Sequence, residues 1–130
     1  MNDLPAAELR HPALHRRVLA SFERQGMMLH LGALLVQVGP GLCVVELPYS
    51  DKLTQQQGGF HGGAIGALAD IAGGYAALTV APADAEVTTV EYKINFLASL
   101  RGGRLRATGR VLRAGKRIIV TSAMVEHFDD

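Results

Sequence analysis

Apolar positions recur along this chain with two different periods, and the changes of period divide it into elements. Over 13–25, Leu14, Val18, Leu19 and Phe22 have the spacing of one helix face, and Gly26 follows as a stop. Residues 28–38 and 42–48 are apolar and rich in β-branched types, and Gly39-Pro40-Gly41 separates them, so they read as two strands of a hairpin. The stretch 49–60 is polar and carries Gly58-Gly59, the pattern of a loop. From 61 to 80 there is no Lys, Arg or Glu, and the apolar character goes all round, which predicts a buried helix. Ala81-Pro82 ends it.

Strict alternation then takes over. In 86–97, Thr88, Val90, Tyr92, Ile94 and Phe96 fall on one face, with Val87, Thr89, Glu91, Lys93 and Asn95 on the other. In 104–112, Leu105, Ala107, Gly109 and Val111 alternate with Arg104, Arg106, Thr108 and Arg110. A turn at Ala114-Gly115-Lys116 leads into a last strand over 118–128. Helix, two strands, one long helix and three strands joined by short turns predict an antiparallel sheet in an α+β fold.

With 130 residues, 48% of them hydrophobic and 19% charged, the chain is sized for one domain, 1–130, opening with a helical segment over 1–26. A net charge of +1 gives no reason to expect nucleic acid or a membrane surface as partner. The stretch 61–80 is long enough to span a bilayer, but it holds Gly62, Gly63, Gly66, Gly73 and Gly74 with Asp70 at its centre, so a core helix is expected instead. The start, MNDLPAAELRHP, lacks a basic residue followed by an apolar run, and the single cysteine, Cys43, cannot close an internal disulfide. A cytoplasmic protein is the expectation, with Cys43 in the core. His11, His15, His30 and His127 are not spaced as metal ligands, so no metal is expected.

The candidate chemistry lies in His61-Gly62-Gly63 and Asp70. The first N–H groups of a helix have no internal acceptor and are partly positive, so a glycine-rich start can hold an oxyanion or a polarised carbonyl. The same glycines also serve plain close packing. Asp70 follows Gly62 by eight residues, about 12 Å along a helix. One chain therefore cannot bring Gly62 N–H and the Asp70 carboxylate to a single reacting group. Two antiparallel copies of the helix, related by a two-fold axis, can. The alternative is an Asp70 that bonds a nearby hydroxyl or backbone group and only fixes packing.

Gln55, HGGAIGALAD at 61–70, TTVEYKINFLAS at 88–99 and GRLRATGRVLRAGKR at 103–117 resemble the hotdog-fold acyl-CoA thioesterases, and among them the PaaI-like branch associated with phenylacetate degradation. The resemblance runs from about 28 to 125. It implies a curled antiparallel sheet around a central helix at about 61–80, and a homodimer, often doubled to a homotetramer. It implies hydrolysis of an acyl-CoA, with coenzyme A as part of the substrate and no separate cofactor.

Position by position, the resemblance makes Asp70 the nucleophile or the general base. Gly62 N–H becomes the oxyanion donor, and Gln55 a holder of the carbonyl or the water, with Gln56 and Gln57 as neighbours one step away. His61 supports the helix start, Gly63 lies beside the bound group, and Thr89 positions water or is a plain cross-strand residue. Arg113, Lys116 and Arg117 are candidates for the coenzyme A phosphates or a solvated basic turn, and Tyr75 and Leu78 for the acyl pocket or the core. Two other functions fit the same fold: a dehydratase or hydratase using His61 and Asp70 on a hydroxyacyl thioester, and a non-catalytic acyl-CoA binder.

The resemblance also implies one more strand, lying between the last one and 86–97. The sequence ends EHFDD without it. A gap there would leave two unpaired strand edges, so further residues of the natural chain or another segment, such as a partner's, are expected to fill it, unless the resemblance fails in this detail.

Overall fold

The computed structural model describes residues 10–130. Helix α1 (Pro12–Phe22) starts with proline at its first turn, where the missing N–H is not needed, and buries Val18 and Phe22. A second helix, α2 (Gly26–Leu31), occupies part of the stretch 28–38 that the apolar pattern assigns to a strand. Gly32 explains the difference. It sits at φ 81°, and its N–H bonds back to the carbonyls of Met28 and Leu29, a left-handed helix stop that β-branched residues could not form. The strand β1 begins only afterwards, at Leu34–Gly39.

Strands β1, β2 (Leu42–Pro48), β3 (Arg104–Ala114) and β4 (Ile119–Phe128) form one antiparallel sheet in that order. The alternation in β3 is realised: Leu105 and Ala107 are fully buried, while Arg104 and Arg106 look outward. On the outer face Arg106 holds Glu46 of β2 at 2.7 Å, and the guanidinium groups of Arg104 and Arg106 cover the Phe128 ring of β4. That cluster ties three strands together in one register.

Helix α3 (Gly62–Val80) lies across the inner face. Leu68, Ala72 and Ala76 are fully buried in the same cluster as Val45, Leu47, Leu105 and Ala107. The approach is close because Gly109 has no side chain; a Cβ there would lie 2.1 Å from the carbonyl oxygen of Ala72. By length and composition α3 could cross a membrane, but most of it is buried inside this fold.

Residues 86–97 depart from expectation. Among the described residues they belong to no ladder, and their backbone makes no hydrogen bond to another backbone group. Nor does their alternation hold throughout. Val87 and Thr89 face the helix, then Tyr92, Ile94 and Phe96, so the phase slips by one residue between 89 and 92. Among the described residues the outer edge of β4 has no paired strand either.

Candidate active site

A 3₁₀ turn at Asp51–Leu53 and a bridge between Thr54 and Phe60 bring the chain to the start of α3. Four N–H groups there lack helical acceptors. His61 N–H donates to the Leu53 carbonyl at 2.7 Å, and Ala64 N–H donates to the His61 carbonyl at 2.9 Å. Gly63 N–H donates to His61 Nδ1 at 2.8 Å. Gly62 N–H is left, and among the described residues nothing accepts from it. His61 is thus the cap of the helix: its backbone is extended (φ −63°, ψ 135°) and its ring takes the place usually held by a Ser or Asp oxygen. An accepting Nδ1 places the ring proton on Nε2.

One stripe of α3 faces the 86–97 segment. The Phe96 ring lies over Gly62, where an added Cβ would be 3.3 Å from it, and the Tyr92 hydroxyl lies 3.2 Å from the same point on Gly66. One turn further on, Asp70 Oδ1 accepts a hydrogen bond of 2.6 Å from Thr89 Oγ1. Gly73 continues the stripe under Thr121 of β4. Asp70 is half-buried and paired with a hydroxyl, so the carboxylate is less enclosed than a position inside so apolar a helix suggests. Eight residues of regular helix hold it about 12 Å from its own Gly62.

The remaining candidates are dispersed. Gln55 Oε1 accepts from Gln57 N–H inside its own turn, and its Nε2 points toward Gly59; it makes no hydrogen bond to His61, Gly62 or Asp70. Tyr75 sits away from the Asp70 stripe. It is buried against Phe22, with its hydroxyl bonded to Ser21 at 3.0 Å and Gln25 at 2.9 Å, so in this chain it anchors α1 rather than lining a pocket beside Asp70. Leu78 is a core residue. Arg113, Lys116 and Arg117 are exposed on the β3–β4 turn. Val111 N–H bonds to Gly41 O, and Gly41 N–H to Thr79 Oγ1, which sets that turn near the end of α3, roughly 25 Å from its own Gly62. Cys43 is buried in β2, and desolvation pushes its thiol up to about 12.

Sequence reasoning missed Tyr92 and Phe96 as cover for the helix start. The aromatic residues were visible, four apart like Gly62 and Gly66. Only their packing shows that they fill the space the glycines leave.

A long central helix wrapped by a curled antiparallel sheet, with an N-terminal helix beside it, defines a hotdog fold. The chain belongs to the thioesterase superfamily, whose pattern matches residues 57–130. A protein of Saccharolobus solfataricus named "Putative esterase" is 44% identical over 86 residues, 66% of this chain and 61% of that one. The match to a second protein of that organism spans 53% of its length, so the chain spans less than two thirds of either. The 1,4-dihydroxy-2-naphthoyl-CoA hydrolase of Listeria monocytogenes is 33% identical over 91 residues, 70% of this chain and 74% of the hydrolase. Among solved structures, a thioesterase family protein from Silicibacter pomeroyi is 36% identical with a TM-score of 0.87, covering 89% of this chain and 85% of the other. The E. coli PaaI protein of the phenylacetic acid degradation operon has a TM-score of 0.80 at 23% identity, covering 88% and 81%, a likeness of fold alone.

Proposed function

We propose that this protein hydrolyses an acyl-CoA thioester to the free acid and coenzyme A, at sites shared between two copies of the chain. The observation that carries this reading is the single unused N–H at the capped start of α3, on Gly62, combined with an Asp70 too far away to serve it within one chain. Two helices running antiparallel about a two-fold axis set Asp70 of one copy beside Gly62 of the other.

At such a site the thioester oxygen accepts from Gly62 N–H, and the positive end of the helix stabilises the charge that develops on it. Asp70 then acts in one of two ways. As nucleophile, a carboxylate oxygen adds to the carbonyl carbon, the C–S bond breaks, and water hydrolyses the resulting anhydride. As base, it takes a proton from water, the hydroxide adds, and the C–S bond breaks. Either way the thiolate leaves and is protonated to free coenzyme A. Thr89 occupies Oδ1, which leaves Oδ2 to react. Arg113, Lys116 and Arg117, exposed on the β3–β4 turn near the C-terminal end of α3, are the groups we assign to the phosphates. His61 spends its Nδ1 on the helix cap, which disfavours a His61–Asp70 proton shuttle and hence the dehydratase reading.

Thiol release from a panel of acyl-CoAs, wild type beside Asp70→Asn, tests the proposal. Turnover by the wild type and loss of most of the rate in Asp70→Asn supports it. Equal rates oppose the role of Asp70, and no release from any substrate opposes hydrolysis and leaves the binding function standing.

A further inference from the structure

Thr89 reaches Asp70 from a segment that no ladder holds. Val87 and Ile94 seat the segment against the core, and where it enters is set by the turn it leaves. At the far end, Phe60 N–H donates to the Leu100 carbonyl at 2.7 Å. At the near end Arg24 approaches Glu86 at 4.0 Å on the exposed surface, and the half-buried contact is made by Arg17, on α1.

The half-buried guanidinium of Arg17 donates to three carbonyls: Ala81 at 3.0 Å, Pro82 at 2.6 Å and Ala85 at 3.1 Å. These bracket the turn that follows α3, itself closed by Ala85 N–H on the Pro82 carbonyl. The carbonyls at a helix C-terminus lack internal partners and carry partial negative charge, so a cation suits the place. The planar fork of arginine also fixes direction, which a lysine ammonium does not. Four residues beyond Ala85 the chain delivers Thr89 to Asp70 Oδ1.

We infer that Arg17 is a positioning residue for the Asp70–Thr89 pair: by clamping the 81–85 turn it sets where the following segment crosses α3. The inference rests on the thioesterase reading for its catalytic consequence, but its geometric content does not depend on turnover.

The test is a double-mutant cycle of Arg17→Met and Thr89→Val, with Arg17→Lys as a milder variant should Arg17→Met fail to fold. Each single change is expected to lower kcat for thiol release between about tenfold and about a hundredfold, with KM little changed. The double variant is expected to be no worse than Thr89→Val alone, because both remove the same hydrogen bond. Arg17→Lys, which keeps the charge and loses the fork, is expected to recover only part of the rate. The carboxyl carbon signal of Asp70 in an NMR spectrum gives a readout independent of activity, and the Arg17 variants should move it in the same direction as Thr89→Val. If the losses multiply, or the Asp70 signal stays put while only the melting temperature falls, Arg17 is a structural clip and the inference is overturned. A wild type that releases no thiol sinks the thioesterase reading, and the Asp70 signal then decides the inference alone.

Discussion

Asp70, Thr89 and Cys43 show how much a single residue owes to its surroundings. Asp70 could be singled out in the sequence because a carboxylate is costly inside an apolar helix unless something compensates it. Thr89, nineteen positions away, was a candidate only through the family resemblance, and its hydrogen bond to Asp70 is seen only in the fold. Replacing Thr89 by Val keeps the shape and removes the bond. We expect a lower kcat with little change in KM, measurable by thiol release. Cys43 is a simpler case. Burial pushes its thiol from 9.0 up to about 12, so the folded state favours the neutral thiol. That contribution to stability is fully present below pH 9.0 and is lost as pH rises toward about 12. Aromatic disulfide reagents at neutral pH should therefore label Cys43 only after unfolding.

Two joints of α3 carry the energetics of the elements. At the start, His61 satisfies Gly63 N–H with its ring, and losing a helix cap costs about 0.5–2 kcal/mol. His61→Ala should lower stability by that amount in a urea titration, while His61→Asn, a good cap, should restore most of it. At the middle, Gly109 lets β3 approach the Ala72 backbone. Gly109→Val would press a side chain into that carbonyl. The contact is with backbone, which cannot swing aside, so a loss of at least about 1–3 kcal/mol is expected, read from the shift of the denaturation midpoint.

At the scale of the whole molecule, two copies of the chain make a sharper prediction than one. If each site takes Gly62 from one copy and Asp70 from the other, mixing two dead variants revives activity. Gly62→Pro removes the N–H at a helix position that tolerates proline, and His61 before it already has the extended backbone proline demands. Mixed with Asp70→Asn under subunit exchange, it should give about a quarter of the wild-type rate, since half of randomly formed dimers hold one intact site of two. No recovery would mean that the two residues do not meet across an interface. Hydrogen exchange should find the amides of β2 and β3, each paired on both sides, among the protected ones.

The sequence by itself determined the α+β class, the long central helix, the inward and outward faces of β3, and the HGG start with Asp70 two turns beyond. Each is a local signal, a period or a spacing, and local signals survive in a linear string. It misassigned residues 28–31 because a short apolar run fits helix and strand alike, and the decision fell to the left-handed stop at Gly32. Only the tertiary structure decided that Tyr75 turns toward α1, that Gln55 spends its oxygen on its own turn, that Gly62 keeps the one unused N–H, and that Arg17 anchors the segment reaching Asp70. Those outcomes depend on contacts between residues far apart in the chain, where the competition of neighbours for space and hydrogen bonds, not a residue's own preference, chooses the partner.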